Sequence, residues 1–245
     1  MEIIGRGFLA GRLATIADRH PTVTVLAAGV SSTRVRSGAE FRRERELVCA
    51  TAARCAREGR ALVFLSTAAQ AMYGHTEIPA REGDTVAPDS LYGRHKADLE
   101  RVVLRSGAPW LVLRLSHVVG PGQRPHQLLP DIIRQIRSGV VRVYRGAHRD
   151  LIDVLDVVRA LDGLLSQGTL EEVVNVACGV PHPAQTIVSG IERHLDLAPR
   201  HEYVDVSPTL TRVSIEKLRS LVPAVHSLSD DDYLDRVLER YVPLY

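Results

Sequence analysis

The sequence predicts an α/β fold, in which a parallel β-sheet is covered by helices on both faces. Short apolar runs alternate with longer segments of helical periodicity along most of the chain. Runs that are apolar throughout, rather than at every second position, are typical of strands buried on both faces. With 245 residues, of which 45% are hydrophobic, the chain can form one core with a small satellite lobe.

The predicted strands and helices alternate in order. Strands are expected over 2–4, 23–27, 61–65, 110–115, 140–144 and 173–177. Helices are expected over 9–18, 39–58, 92–106, 128–138, 154–166, 184–195, 214–221 and 230–241. Because such alternation builds parallel sheets, we predict a single α/β domain over 1–245. The later segments are more irregular, so a small C-terminal substrate lobe is expected mainly from 121–152 and 180–224.

The overall composition indicates a cytoplasmic protein that acts on a small molecule. The formal net charge of +2 argues against a nucleic-acid partner, which would require a basic patch or stripe. No apolar run approaches the ~18 residues that a membrane span needs, and an N-terminus that runs directly into a strand argues against a signal peptide. Cys49, Cys55 and Cys178 have neither the number nor the spacing of a disulfide framework or a metal site.

A glycine-rich turn follows the first strand. Gly5, Gly7 and Gly11 lie between this strand and the first predicted helix, which is the context of a dinucleotide-binding turn. Glycine permits a close approach of the backbone to a pyrophosphate, and the helix N-terminus supplies free N–H groups. A plain tight turn is the alternative. The next strand ends in Ala27 and Ala28, without the acidic residue that usually binds an adenosine ribose.

Two hydroxyl side chains, Ser66 and Thr67, follow the third predicted strand. Ligands bind beyond the carboxyl ends of the strands in open parallel sheets. Either hydroxyl could therefore donate a hydrogen bond to a reacting oxygen. The alternative is that they cap a helix or a turn.

Tyr92 and Lys96 lie four residues apart and share one face of the helix predicted over 92–106. A nearby ammonium favours the phenolate and lowers the pKa of a tyrosine from about 10 toward neutrality. Such a tyrosine can give or take the proton of a carbonyl or hydroxyl during hydride transfer. The alternative is a surface tyrosine and lysine on a capped helix.

Five ordered segments, together with the glycine turn, resemble one family over nearly the whole chain. The segments are 66–74, 82–100, 113–123, 149–158 and 175–179. They are similar to the extended short-chain dehydrogenase/reductase superfamily, of the NAD-dependent epimerase/dehydratase type. The resemblance implies a Rossmann-like fold, a nicotinamide cofactor and a homodimer formed through the helices 39–58 and 92–106. Ala50, Ala52 and Ala53 would permit the two copies to pack closely.

The resemblance also implies roles for individual residues. Tyr92 would be the catalytic acid/base, Lys96 would hold the nicotinamide ribose, and Ser66 or, by preference, Thr67 would supply the catalytic hydroxyl. The cofactor would contact Gly5, Gly7, Phe8, Leu9, Gly11, Ala27, Ala28, Lys96 and Leu115. The substrate would contact Ser116, His117 and Arg149.

The two ionisable substrate residues leave alternatives open. Arg149 matches an arginine that contacts diphosphate in several family members, and a guanidinium fork suits phosphate. It could instead pair with Asp150 or Asp153 on the surface. His117 replaces an asparagine that contacts the substrate phosphate, and it could instead be a loop histidine without a ligand.

Two departures from the family pattern reduce the number of reaction types that the sequence allows. The family's catalytic hydroxyl falls on Ala69 here, so the loop before Gly74 is longer than usual. The acidic pair that the sugar-nucleotide dehydratases use for elimination falls on Ala68 and Ala69. The sequence therefore argues against a 4,6-dehydratase and leaves epimerisation or ketone reduction.

The sheet itself is predicted to be a shortened one. In the family, an Ala-Ala pair like Ala27–Ala28 ends the fourth strand, so the second and third strands are missing here. The adenosine half-site is then truncated, which leaves NAD, NADP or no dinucleotide possible. Arg6, Arg12 or Arg34 could meet the 2′-phosphate of NADP.

This shortening also creates a topological conflict. Parallel crossovers are right-handed in about 98% of cases. Joining the first strand directly to the equivalent of the fourth should place the first helix on the other face of the sheet. The remaining solutions are a rare left-handed connection or a strand exchange between two chains.

The leading hypothesis is an NAD(P)-dependent reductase or epimerase that acts on a nucleotide-linked sugar or a related polar ketone or alcohol, with Tyr92 as acid/base. One alternative is a natural-product tailoring enzyme on the same scaffold, which uses Tyr92 without nicotinamide redox turnover. The other is a non-catalytic ligand-binding relative, against which an intact Tyr92–Lys96 pair argues.

Overall fold

The computed structural model describes residues 1–30 and 37–245. In chain order the described strands are β1 (Glu2–Ile4), β2 (Val23–Leu26), β3 (Ala61–Thr67), β4 (Thr76–Ala80), β5 (Trp110–Leu115), β6 (His117–Val119), β7 (Val140–Arg145), β8 (His148–Arg149), β9 (Leu151–Asp153), β10 (Glu172–Val176), β11 (His182–Pro183), β12 (Arg200–Asp205) and β13 (Thr211–Val213). The α-helices are α1 (Phe8–Leu13), α2 (Gly38–Glu58), α3 (Gln70–Tyr73), α4 (Leu91–Leu104), α5 (Leu128–Arg137), α6 (Val154–Ser166), α7 (Ala184–Leu195), α8 (Glu216–Leu221) and α9 (Tyr233–Tyr241). Short 3₁₀ segments lie at Ala14–Arg19, Pro223–Ser229 and Val242–Leu244. Among these described helices, none has the length and apolar character needed to cross a bilayer.

Five strands form the central sheet, in the order β1-β2-β3-β5-β10, and every neighbouring pair is parallel. The predicted α/β class with a parallel sheet is therefore confirmed. In the part of the chain that the structure describes, β1 is the outer strand on one side of the sheet. The first two strands in sequence are thus direct neighbours, as the shortened arrangement requires.

Alternating side chains of each strand supply two separate cores. On one face, Val63 and Leu113 belong to an apolar cluster with Leu161 of α6. On the other face, Phe64 packs with Cys55 of α2 and with residues of α4. Successive side chains of a strand point to opposite faces of a sheet. Covering both faces therefore requires strands that are apolar throughout, which is the pattern that the sequence shows.

The connection from β1 to β2 has the opposite hand to the two that follow it. The steps β1→β2, β2→β3 and β3→β5 all run in the same direction across the sheet. Leu13 of α1 lies in the cluster that faces α6, whereas α2 and α4 cover the other face. Crossovers that run in the same direction on opposite faces of a sheet have opposite hands. Either the β1→β2 crossover or the two crossovers that follow it are therefore of the rare left-handed kind. Within the described chain β1 pairs with its own β2, so the structure resolves the conflict by the hand of the crossover.

Two predicted strands differ from the structure. The segment 140–144 is a strand, β7, but it pairs with β12 in a separate ribbon instead of joining the central sheet. β3 ends at Thr67 rather than at residue 65, so Ser66 and Thr67 lie inside the strand. The short strands pair in twos, β4 with β13, β6 with β9, and β8 with β11. One apolar cluster runs from the sheet into α5, α7 and α9, and the lobe over 121–152 and 180–224 stays a prediction.

The helix face that was expected to support a dimer is smaller than predicted. Ala52 is 3% exposed and packs toward the sheet in the core. Ala50 and Ala53 are exposed on the outside of α2. Ala52 therefore has no place in a contact between two copies, and only the other two alanines can contribute to one.

Candidate active site

A cavity of about 270 Å³ lies beyond the carboxyl ends of β3 and β5. The loop after β3, the start of β6 and the β8 segment each contribute to its wall. It is lined by Ala68, Ala69, Gln70, Ala71, Asp89, Ser90, Ser116, His117, His148, Arg149, Asp150, Thr209 and Thr211. The three predicted substrate residues, Ser116, His117 and Arg149, are thus brought together in one cavity. The sequence does not single out the other polar lining residues His148, Asp150, Thr209 and Thr211. They reach the cavity because segments distant in sequence pack together.

The Arg149 guanidinium faces this cavity without a carboxylate partner in the described chain. Its Nη1 donates to the His148 carbonyl over 2.7 Å and to the Thr209 hydroxyl over 3.3 Å. Burial lowers the pKa of Arg149 from its usual value. The neighbouring Asp150 instead accepts the backbone N–H groups of Cys178 and Gly179 at 2.9 and 2.7 Å. A half-buried cation with donors to spare is suited to an anionic ligand.

His117 and Ser116 add neutral groups to the same wall. Burial, together with the Arg149 charge, lowers the pKa of His117 to about 3. The imidazole is therefore neutral at physiological pH. The Ser116 hydroxyl is buried and has no hydrogen-bond partner of normal geometry among the described residues. Burial raises the pKa of the Asp150 carboxyl, and Ser116 lies close enough to that group to oppose the rise. A buried hydroxyl without a well-formed bond can serve a ligand oxygen.

Tyr92 and Lys96 lie one turn apart at the start of α4, next to the cavity wall. The helix begins after Ser90, whose hydroxyl accepts the Gly93 N–H over 3.0 Å. A Cβ at Gly93 would lie 1.7 Å from the Ala71 carbonyl oxygen. Glycine is therefore needed where α4 touches α3, and this contact brings the Tyr92 ring against Ala71, which lines the cavity. The Lys96 Nζ is 5.9 Å from the centroid of the Tyr92 ring.

The electrostatics of Tyr92 differ from the sequence expectation. Burial raises the pKa of its phenol, Lys96 lowers it, and Glu44 raises it again. The net direction is upward, because desolvation disfavours the phenolate more strongly than one ammonium favours it. The predicted lowering of this pKa by Lys96 therefore does not prevail in this arrangement.

Glu44 of α2 is the site residue that sequence reasoning missed. Its carboxylate oxygens contact Lys96 Nζ at 2.8 Å and His95 Nε2 at 2.9 Å. A signal was present in the sequence, since Glu44 occupies the same helical stripe as the buried residues Val48, Ala52 and Cys55. A charge on an otherwise apolar stripe must be paired when it is buried.

The two candidate hydroxyls point to different places. Ser66 donates to Glu100 Oε1 over 2.5 Å, and Glu100 in turn pairs with Arg114 at 2.7 Å. Ser66 is thus engaged in a buried ion-pair network and is not available to a reacting oxygen. Thr67 lies on the opposite face and accepts the Ala69 N–H over 3.2 Å, which leaves its own proton free to donate. Neither residue lines the cavity, so Thr67 remains the candidate only through its proximity to the loop 68–71.

Most of the predicted cofactor residues lie near the ends of β1 and β2, whereas Lys96 lies in α4 and Leu115 at the end of β5. The Ala27 N–H donates to the Ile4 carbonyl over 2.9 Å, and a Cβ on Gly5 would lie 2.4 Å from the Ala27 oxygen. Gly5 is therefore required by the contact with β2. Gly7 and Gly11 are exposed, with open space where a Cβ would lie. Phe8 and Leu9 begin α1, Ala28 follows β2, and Leu115 ends β5.

These residues fit a nicotinamide dinucleotide on one half only. The open space at Gly7 and Gly11 suits the pyrophosphate. On the nicotinamide side, Tyr92 and Lys96 lie behind the wall of the described cavity, which neither of them lines. On the adenosine side, the described chain has no strand beyond β1. Arg12 donates to the Pro121 carbonyl over 3.1 Å, and Arg6 is exposed. Arg34 lies outside the described residues.

Gly5 is expected to be needed for folding as well as for any ligand. We expect Gly5→Ala to lower the free energy of unfolding by more than about 1 kcal/mol. Its φ is +147°, and the added Cβ meets the Ala27 oxygen. Urea denaturation measures the change. Gly7→Ala is the matched control, because Gly7 has φ −84° and open space, and its effect should stay within about 0.5 kcal/mol. Equal effects of the two variants would contradict the prediction.

Comparison with known proteins identifies relatives of the chain. The model of the NAD dependent epimerase/dehydratase family matches residues 11–177. The low-salt glycan biosynthesis protein Agl12 of Haloferax volcanii is 32% identical over 126 residues, which are 48% of this chain and 40% of that protein. The ADP-L-glycero-D-manno-heptose-6-epimerase of Nitratidesulfovibrio vulgaris is 25% identical over 206 residues, which are 73% of this chain and 64% of that protein. The chain thus spans less than two thirds of the length of either relative.

A solved structure shows the same fold. MoeE5 in complex with UDP-glucose and NAD aligns with a TM-score of 0.84, over 98% of this chain and 96% of that chain. The sequence identity is 20%. The similarity therefore concerns the arrangement of the sheet and its helices.

Proposed function

Because the chain belongs to the NAD-dependent epimerase/dehydratase family, as its five sequence segments indicated, we propose that it is an NAD(P)-dependent reductase or epimerase. Its substrate would be a nucleotide-linked sugar or a related polar ketone or alcohol. The observation that carries this proposal is the Arg149 guanidinium, which faces the cavity beside Tyr92 without a carboxylate partner in the described residues. A half-buried cation at this place suits the diphosphate of such a substrate.

The family resemblance suggests the roles of the individual side chains. Tyr92 would move the proton of the reacting oxygen, Thr67 would donate to the same oxygen, and Lys96 would serve the nicotinamide ribose. Ser116 and His117 would contact the substrate beside Arg149. When it is bound, a nicotinamide cofactor supplies or accepts the hydride. Ala68 and Ala69, at the positions of the acidic pair of the dehydratases, line the cavity. The lack of a carboxylate at these two positions supports reduction or epimerisation over elimination.

Cofactor binding tests the proposal directly. Titration of the purified protein with NADH and with NADPH, followed by nicotinamide fluorescence, should show saturable binding of at least one. A preference for NADPH would point to the arginines near the glycine turn, and a preference for NADH would argue against them. Binding of neither at millimolar concentration would overturn the redox proposal.

Arg149 provides a test of the substrate class. We expect Arg149→Met to weaken the binding of a nucleoside diphosphate such as UDP by about 10- to 100-fold, since a charge-assisted hydrogen bond contributes roughly 1.5–3 kcal/mol. Isothermal titration calorimetry measures the affinity. Arg142→Met is the matched control, because Arg142 is 64% exposed and only loosely paired with Glu202 at 3.8 Å. An unchanged affinity in the Arg149 variant would contradict the proposal that Arg149 binds the diphosphate of the substrate.

A second candidate function is an enzyme that uses Tyr92 for acid/base chemistry without redox turnover, such as a natural-product tailoring enzyme. Two observations favour it: β1 is the outer described strand on the adenosine side, and Lys96 is paired with Glu44. Retention of nucleotide-sugar binding, without binding of either nicotinamide cofactor, would support this alternative. A non-catalytic ligand-binding relative is the remaining one, and a loss of turnover in Tyr92→Phe would exclude it.

A further inference from the structure

The Glu44 carboxylate is held from three sides at the carboxyl end of β2. Lys96 lies 2.8 Å from Oε1, His95 lies 2.9 Å from Oε2, and the Val30 backbone N–H donates to Oε2 over 3.0 Å. The Glu44 and Lys96 side chains are only 1% and 6% exposed. This is a buried, hydrogen-bonded ion pair rather than a surface contact.

The surroundings of Glu44 are shaped to admit it. Gly29 has φ +135°, and a Cβ there would lie 2.2 Å from Glu44 Oε1. A glycine is therefore needed where the chain leaves β2 and passes the carboxylate. The His95 ring packs against Phe41 of α2, with 4.6 Å between the ring centroids. The carboxylate thus has one position, directly on Lys96.

Lys96 is the cation that faces the Tyr92 ring. Its Nζ lies 5.2 Å from the Phe64 ring centroid and 5.9 Å from that of Tyr92. Charges act over such distances in a buried site, where water does not screen them. Glu44, from α2, opposes the Lys96 charge, and His95 faces Glu44 from α4. The other groups that contact this site, Phe64 of β3 and Ala71 of α3, are apolar.

We propose that Glu44 is a positioning residue: it neutralises Lys96, so that Tyr92 stays a neutral phenol and donates a proton to a carbonyl oxygen instead of accepting one from a hydroxyl. The inference rests on the proposed function and deepens it, since it selects the keto form of a nucleotide-linked sugar as the substrate class. In the step, the Tyr92 O–H bond breaks and an O–H bond forms on the substrate oxygen. A bound reduced nicotinamide would supply the hydride for the carbonyl carbon, and a proton from the solvent would return Tyr92 to the phenol.

The test compares four proteins that differ in the charge beside Tyr92. They are the wild type, Glu44→Gln, Lys96→Gln and the double variant. Ionisation of Tyr92 is followed by NMR with ¹³Cζ-labelled tyrosine in the cofactor-free protein, and Tyr92→Phe assigns the resonance. Glu44→Gln leaves an uncompensated ammonium and should lower the ionisation midpoint by about one pH unit or more. Lys96→Gln should raise it, and the double variant should return close to the wild type.

Two comparisons keep the test decisive. If Glu44→Gln alone does not fold, the Lys96→Gln variant and the double variant still differ only in the Glu44 carboxylate. The ionisation midpoint of Tyr92 should then fall from the first to the second. Glu46→Gln, an exposed position on the same helix, should leave the midpoint unchanged. A wild-type Tyr92 that is ionised at neutral pH, or midpoints that do not respond to Glu44 in either background, would overturn the proposal.

The outcome is separable from that of the proposed function. NADH and NADPH binding are measured on the same four proteins, and the ionisation order does not depend on them. Failure of every protein to bind a cofactor would overturn the redox function while leaving the ionisation result to stand. Binding of the cofactor with an ionisation order that ignores Glu44 would overturn this inference alone.

Discussion

Replacing Tyr92 by phenylalanine is expected to lower kcat by about 10²- to 10⁴-fold, the usual contribution of a positioned acid/base group, while leaving the fold intact. The variant removes only the phenolic oxygen. The ring keeps its contacts with Val30 and Ala71, so the cavity wall stays in place. Cofactor and substrate affinities should change little, because the lost interaction is a proton transfer rather than a binding contact.

The measurement is the rate of NADPH or NADH consumption with a nucleotide-linked keto sugar, alongside thermal unfolding of both proteins. Tyr203→Phe is the matched control, because Tyr203 is 49% exposed on β12. Full activity in Tyr92→Phe would remove this residue from the chemistry of both enzyme hypotheses. A large fall in unfolding temperature would instead indicate a structural role for the phenol.

Replacing Arg114 by methionine is expected to lower the free energy of unfolding by about 3–5 kcal/mol, because it leaves a buried carboxylate without its partner. Arg114 bonds Glu100 through Nε and Nη2 and donates from Nη1 to the Tyr73 hydroxyl over 2.7 Å. The Tyr73 hydroxyl in turn donates to Asn175 Oδ1 over 2.7 Å. One guanidinium thus connects β5 to α4, α3 and β10.

Urea denaturation measures this effect, and two variants bracket it. Arg101→Met removes an exposed ion pair with Asp98 on the same helix as Glu100, and should cost at most about 1 kcal/mol. Arg114→Met combined with Glu100→Met removes both buried charges and should recover much of the lost stability. A loss below about 1 kcal/mol in Arg114→Met would contradict the assignment of this pair as buried and essential.

Much of the fold followed from local patterns. The five central strands are runs of mainly apolar residues, and a helix follows β1, β2 and β3. In a parallel sheet all the carboxyl ends meet at one edge. The family resemblance, rather than this edge, implied that Ser116, His117 and Arg149 would share a site, and short strands bring them together from distant parts of the chain.

The orientation of the candidate hydroxyls could not be read in the same way. Ser66 and Thr67 are adjacent, so they point to opposite faces of β3. Which of them faces Glu100 depends on the register of β3 beside β5, where Ser66 lies opposite Arg114 and Thr67 lies opposite Leu115. Register is set by packing between strands and not by the residues of one strand.

The sequence by itself determined the α/β class, the glycine turn and the Tyr92–Lys96 pair on one helix turn. These features rest on residues close together in the chain, whose periodicity and spacing act locally. The shortened sheet was implied by the family resemblance. Only the tertiary structure decided the hand of the first crossover, the engagement of Ser66 and the pairing of Lys96 with Glu44. The last of these joins α2 to α4, and the charge state of Tyr92 depends on it. Such a contact forms only when the two helices pack on the same face of the sheet, so local sequence patterns do not predict it.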